Sequence, residues 1–217
     1  MNKAFIFDMD GVIINSESVW AKYVKDFYTD LFGAKLYQSM NIDWMGATTD
    51  MIYDKALQHG FTMPKEEFLK KYDKQALFVY SLSTPTGDIN KLLKKLTDLN
   101  FKIGLVSASR QLWIDTALTK IKNKNLFTYI LSLDVRKDLK PKPYPDGFLE
   151  AIKQLGSVPE KTIILEDSNK GLLAAKASGA FTICLREHLP DGHVSEKADM
   201  TINDLKTLMT FLDDFKN

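Results

Sequence analysis

Apolar positions in this chain follow two rhythms, and the switch between them divides it. Residues 3–8, KAFIFD, form an unbroken apolar run closing on an aspartate, the pattern of a short strand buried on both faces. Over residues 16–32 the rhythm becomes helical. Val19, Trp20, Tyr23, Val24, Phe27 and Leu31 recur at helical spacing, and Gly33 stops the pattern. Residues 50–58 predict a second helix, closed near Gly60, and 64–82 a third with Pro64 at its start. STPTGD (83–88) is a turn-rich return.

Beyond residue 88 the rhythms alternate. Helices are predicted over 89–99, 111–121, 145–155, 169–177 and 204–215. Strands are predicted over 101–106 (ending at Ser107), 129–133, 162–165 (ending in Glu166 and Asp167), 181–185 and 200–202. Such alternation implies an α/β fold with a parallel sheet covered on both faces. The expected organisation is a Rossmann-like core from residues 1–14 and 83–217. An all-helical unit, 15–82, is inserted after the first strand and folds over the sheet as a lid.

Composition changes little in this picture. The 217 residues are 45% hydrophobic and 26% charged, enough for one sizeable core or a core plus a small second unit. Lys+Arg 29 against Asp+Glu 28 leaves a net charge of +1, so no charge excess argues for nucleic acid. No apolar run approaches the roughly 18 residues of a membrane span. The N-terminus runs straight into a strand without signal-peptide features, so a cytoplasmic location is expected. The one cysteine, Cys184 in FTICL, reads as a buried core residue. His59, His188 and His193 show no metal-ligand spacing, and no role is assigned to them.

The chemistry sits where strands end. Asp8 and Asp10 follow the first strand, Ser107 ends another, and Glu166 and Asp167 end a third. In an open parallel sheet, ligands bind outside the carboxyl ends of strands near the point where strand order reverses. If these strands are neighbours, four acidic side chains converge. Two bare carboxylates about 4 Å apart repel by roughly 4 kcal/mol at an effective dielectric of about 20. Protons or a cation must then offset them. Oxygen ligands with no His or Cys suit Mg²⁺, which keeps waters and accepts a phosphate oxygen. Taken singly, acidic residues after strands also serve as turn formers and helix caps. Their coincidence at three strand ends is what favours the functional reading.

Two more segments fit. LVSASR (105–110) offers Ser107, Ala108, Ser109 and Arg110 at a strand end, where hydroxyls and main-chain N–H groups can hold phosphate oxygens. In LKPKPYPDGF (139–148), Lys142 is flanked by Pro141 and Pro143, which restrict the backbone and aim a point charge. Alone it also reads as a solvated lysine in a stiff loop.

FDMDG (7–11), SAS (107–109), KPYPD (142–146) and EDSNKG (166–171) resemble, in order and spacing, the four motifs of the haloacid dehalogenase superfamily. The insertion after the first motif is similar to the cap of its subfamily I, which includes β-phosphoglucomutase-like proteins and sugar-phosphate phosphatases. The resemblance implies that Asp8 is a nucleophile forming an aspartyl-phosphate and that Asp10 is the general acid/base. It implies that Ser107, Ala108, Arg110 and Lys142 bind the phosphoryl group. Asp8, Asp10 (through its main-chain oxygen), Glu166 and Asp167 would hold Mg²⁺.

Departures narrow the expectation. Trp20 stands where β-phosphoglucomutase carries a cap histidine, and GATT (46–49) puts Thr49 where that enzyme has an arginine gripping a distal phosphate. Trp20 resembles instead the tryptophan of relatives acting on hexose, deoxyhexose or hexitol phosphates; it also reads as cap core. Trp20, Trp44, Thr48 and Thr49 are the candidate specificity residues. The expectation is a monomeric, Mg²⁺-dependent phosphatase of small phosphorylated metabolites, sugar or polyol phosphates foremost, with no nucleic-acid or membrane partner. A phosphoglucomutase-type phosphotransferase is the first alternative. A dehalogenase, and a non-catalytic phosphate-sensing or partner-binding module, are the others.

Overall fold

Strand β1 (Lys3–Phe7) shows why both sheet faces are covered. Its side chains alternate, Ala4 and Ile6 to one face, Phe5 and Phe7 to the other, and all four are fully buried. The computed structural model describes residues 1–41, 47–189 and 198–213. After β1 come the two-residue strand β2 (Ile14–Asn15) and four helices, α1 (Glu17–Phe32), α2 (Ala34–Met40), α3 (Thr49–Gln58) and α4 (Lys65–Leu82). The chain returns through β3 (Thr84–Pro85) into α5 (Ile89–Asp98), β4 (Phe101–Ser107), α6 (Gln111–Leu118) and β5 (Phe127–Ser132). It closes with α7 (Asp146–Gln154), β6 (Thr162–Glu166), α8 (Asn169–Ala177), β7 (Phe181–Leu185), β8 (Met200–Ile202) and α9 (Leu205–Asp213).

The expected α/β fold is present. Six strands form one sheet in the order β5-β4-β1-β6-β7-β8, every pair parallel. Helices α5, α6 and α9 cover the Phe5/Phe7 face with Leu92, Ile114 and Leu208; α7 and α8 cover the other with Phe148, Ile152 and Ala174. Chain order reverses around β1: the chain steps to β4 and β5 on one side, then crosses to β6 on the other. The register levels the strand ends there, since Phe7 lies opposite both Leu105 and Leu165.

Residues 17–82 hold no strand among those described. Their interior is aromatic: Phe68, fully buried, packs against Phe32, Tyr53, Phe61 and Tyr72 with ring centroids 5.0–6.2 Å apart. Burying each such ring contributes roughly 1.5–3 kcal/mol. Helix α2 is not announced by the periodicity. Gly33 ends α1, its φ of 80° admitting the sharp turn, and its carbonyl accepts from Tyr37 as α2 begins at once. The two ends of the helical stretch are joined by the antiparallel pair β2–β3, Ile14 opposite Pro85 and Asn15 opposite Thr84. Lys120 secures the end of α4, donating to the carbonyls of Ser81 (2.8 Å) and Ser83 (2.7 Å).

Candidate active site

The level strand ends bring the predicted carboxylates together. Asp8 follows β1 and donates its N–H to the Leu165 carbonyl on β6 (2.9 Å), which fixes it beside Glu166. Oxygens of Asp8, Glu166 and Asp167 all lie within 4.8 Å of one another, and all three residues are buried. Lys142 reaches into this group from the loop before α7. Its Nζ donates to Asp8 Oδ1 (2.5 Å) and Glu166 Oε1 (2.6 Å) and lies 5.1 Å from the Phe148 ring centroid. Burial alone would lower the Lys142 pKa; the two carboxylates outweigh it and hold the ammonium above its ordinary range.

Glu166 is the anchor. Its Oε2 accepts from the N–H groups of Asp167 (2.8 Å) and Ser168 (2.9 Å) and from Ser168 Oγ (3.1 Å) at the start of α8. Ser168 Oγ in turn accepts from Gly171 N–H (3.1 Å), capping the helix. A Cβ on Gly171 would lie 1.7 Å from Glu166 Oε1, so only glycine leaves room for this carboxylate. Gly11 plays the same part for Asp167: its φ is +75°, and a Cβ there would lie 1.9 Å from Asp167 Oδ2.

Asp167 Oδ2 is buried and accepts no hydrogen bond. Burial first, then the charges of Glu166 and Asp8, push the Asp167 carboxyl well above the usual range. Burial does the same at Asp8, opposed by Lys142 and reinforced by Glu166 and Asp10. A bare, buried oxygen beside two more carboxylates, with no nitrogen or sulfur donor in the group, fits a hard divalent cation.

Asp10 stands apart from that cluster. Its Oδ1 accepts from Ser16 Oγ (2.6 Å) and Tyr80 OH (2.7 Å), and its Oδ2 from Ser109 Oγ (2.7 Å). Ser16 precedes α1, Tyr80 lies in the last turn of α4, and Ser109 follows β4. The start and the end of the α1–α4 stretch therefore both hold this carboxylate. Burial, then the charge of Asp10, raises the Tyr80 pKa well above its usual value, so the phenol stays protonated and donates. Ser107 Oγ accepts from Ser109 N–H (3.0 Å), and Ser132 Oγ donates to the Ser109 carbonyl (2.7 Å).

A cavity of about 720 Å³ opens over these groups. Asp8, Asp10, Ser107, Ala108, Lys142 and Asp167 line its floor; Trp20 of α1 is on its wall. The other predicted residues are placed elsewhere. Arg110, expected at the phosphate, turns away and pairs with Asp73 (2.5 Å) and Asp134 (3.6 Å); it does not line the cavity. A carboxylate on α4 is a closer partner than the phosphoryl region. Thr48 caps α3, accepting from Met51 N–H (3.2 Å), and Thr49 Oγ1 bonds Asp134 (3.3 Å), so neither hydroxyl faces the cavity. Trp44 lies outside the described residues.

Sequence reasoning missed several lining residues. Trp113 of α6 and Tyr72 of α4 stack at 5.5 Å and 14° on the cavity wall. His188, given no role from spacing, reaches the rim, its Nε2 3.1 Å from Thr86 Oγ1, and burial lowers its pKa. The helical periodicity marks Tyr72 and Trp113 as apolar-facing but cannot separate packing from lining.

The family described as haloacid dehalogenase-like hydrolase matches residues 5–185. A phosphoglycolate phosphatase of Colwellia psychrerythraea is 27% identical over 192 residues, 84% of each chain. Hexitol phosphatase B of Escherichia coli K12 is 26% identical over 215 residues, 93% of this chain and 96% of that one. Among solved structures, CbbY from Rhodobacter sphaeroides in complex with phosphate superposes with a TM-score of 0.78 at 18% identity, covering 96% of each; at that identity the likeness concerns the fold.

Proposed function

Because the chain belongs to the haloacid dehalogenase-like hydrolase family, and within it is a phosphoric monoester hydrolase, we propose that it is a Mg²⁺-dependent phosphatase of small phosphorylated metabolites working through an aspartyl-phosphate. Sugar and polyol phosphates are the class that the motif resemblance offers, and the name of the hexitol phosphatase relative agrees with it. Residues 15–82 would serve as the cap, with 1–14 and 83–217 as the core. The observation that carries the reading is Asp8. It is buried, tied through one oxygen to Lys142, flanked by the bare Asp167 Oδ2, and open to a cavity that Asp10 also lines.

In this reading an Asp8 oxygen attacks phosphorus as the ester P–O bond breaks, and Asp10 delivers a proton to the departing oxygen. Water then attacks phosphorus, giving its proton to Asp10, and the bond to Asp8 breaks to release phosphate. Lys142 lowers the repulsion between the Asp8 carboxylate and the incoming dianion; Glu166 keeps Lys142 in place. The hydroxyl of Ser107 and the main-chain N–H of Ala108, both at the cavity floor, would orient the phosphoryl oxygens. Asp8 and Asp167 would hold Mg²⁺, which when bound neutralises charge on the transferring group. One experiment tests the whole. Metal-stripped protein with a panel of phosphorylated metabolites is expected to release no phosphate, and added Mg²⁺ to give many turnovers per chain. Failure of every ester in the presence of Mg²⁺ would overturn the proposal.

A further inference from the structure

The reacting end of the cavity is crowded with charge; the leaving-group end is not. Arg110 is committed to Asp73 and Asp134, so among the described lining residues Lys142 is the one lysine or arginine, and Asp8 and Glu166 already hold it. A carboxylate, Glu17, lines the cavity beside Ser18 at the start of α1. Among the described lining residues, a second phosphate or a carboxylate on the substrate would find no lysine or arginine beyond Lys142.

The wall above is aromatic. Trp20 of α1, Tyr72 of α4 and Trp113 of α6 form a continuous panel. Trp20 and Tyr72 lie 5.9 Å apart at 43°, and Tyr72 and Trp113 5.5 Å apart at 14°. Val24 and Leu189 extend it. The polar atoms of Tyr72 and Trp113, and of Tyr28 and Tyr80 beside them, are engaged. Trp113 Nε1 donates to Asp73 Oδ1 (2.7 Å), the hydroxyls of Tyr28 and Tyr72 bond each other (2.5 Å), and Tyr80 OH donates to Asp10. Polyol hydroxyls laid on the faces of these rings would shed water without gaining a partner, while those reaching Glu17 or Ser18 would find one. A flat, uncharged ring would shed little and stack.

From this wall we infer that the preferred substrate is the monophosphate ester of a flat aromatic or heteroaromatic alcohol, with no second anionic group. The Trp20–Tyr72–Trp113 panel selects it. Trp113, which comes from the sheet-covering helix α6 and not from the helical insert, is a specificity-determining residue. The volume of about 720 Å³ admits a leaving group of one or two fused rings. The inference rests on the phosphatase reading for its chemistry, and its test separates the two.

Equilibrium binding to the Asp8→Asn variant, measured by calorimetry with Mg²⁺ present, reads the wall without turnover. Benzyl phosphate, sorbitol 6-phosphate and glucose 6-phosphate are all esters of primary alcohols, so only the leaving group differs. The ring ester is expected to bind at least about tenfold more tightly than either sugar-derived ester. Trp113→Ala is expected to erase most of that ratio and Trp113→Phe to retain most of it, which a merely structural tryptophan would not do. Equal or weaker binding of the ring ester would overturn the inference, even if the wild type hydrolyses sugar phosphates well. Tight, Trp113-dependent binding without turnover by the wild type would uphold it and count against the phosphatase reading alone.

Discussion

The two ends of the cavity are built by different means. The reacting end is made of charges at the tips of the neighbouring strands β1 and β6, joined by Lys142 from the loop before α7. Each carboxylate there is fixed by the main chain, by Lys142 or by a glycine that leaves it room. The leaving-group end is made of rings from α1, α4 and α6, held by packing and by one aspartate, Asp73. Backbone register places the first end; side-chain packing places the second. Chemistry that needs sub-ångström placement therefore sits on the rigid element, and discrimination sits where substitution is tolerated.

The largest expected effect breaks the first end and spares the second. Asp8→Asn keeps the shape of the side chain but removes the proposed nucleophile. Phosphate release should fall by about a thousandfold or more while ester binding persists. Retention of more than a tenth of the activity would show that another group attacks phosphorus.

Lys142→Met comes next, and it is felt in stability as well as rate. It leaves Asp8 and Glu166 buried without their cation. Removing one partner of a buried pair costs about 3–5 kcal/mol, read as a lower denaturant midpoint. An unchanged midpoint would mean that the Lys142 ammonium contributes nothing net to holding Asp8 and Glu166 in the folded chain.

A smaller shift sharpens the electrostatics of the same end. Burial holds the Asp8 and Asp167 carboxyls above their usual range, so the metal-free folded chain keeps protons that the unfolded chain loses above about pH 4. The folded state binds more protons there, so the two groups make stability fall as pH rises through that window. On the proposed reading Mg²⁺ would replace those protons. It should raise the unfolding temperature by several degrees at pH 8 and by clearly less at pH 5. An equal shift at both pH values would place the cation elsewhere.

How much of each end was legible follows from the same contrast. An apolar run closing on Asp8, or on Glu166 and Asp167, is a local pattern, and parallel register does the rest. The six strands of the parallel sheet and most helices were readable for the same reason, while the two-residue strands β2 and β3 were not. α2 was not, because Gly33 ends one helix and starts another with no intervening polar break. The aromatic panel was half readable. Trp20 stood out through its motif, but Trp113 sits in a short apolar helix whose lining face depends on α4, some forty residues earlier. Arg110 was misplaced because its partners, Asp73 and Asp134, lie far from it in sequence.

Tyr80 joins the two ends, its hydroxyl on Asp10 and its ring 6.4 Å from that of Trp113. Tyr80→Phe removes one of the three hydroxyls that orient Asp10 and keeps the ring. The expected loss is about three- to tenfold in kcat with KM little changed, since ester binding does not use that hydroxyl. A loss confined to KM would mean that Tyr80 touches the substrate and leaves Asp10 alone.

The smallest expected effect tests where the boundary between the ends lies. Arg110 pairs with Asp73 and Asp134, and its side chain and that of Asp73 are 25% and 22% exposed. A pair so open to water contributes about 1 kcal/mol at most. In Arg110→Ala, Asp73 keeps Trp113 Nε1 as a donor, so the panel should stay in place. Phosphatase kcat/KM should then change by less than about threefold for every ester, with KM for the phosphoryl group unaltered. A hundredfold rise in KM common to all esters would put the guanidinium on the phosphoryl group during turnover. The reacting end would then include a residue from the start of α6, and the division between charge at the strand tips and rings on the helices would have to be redrawn there.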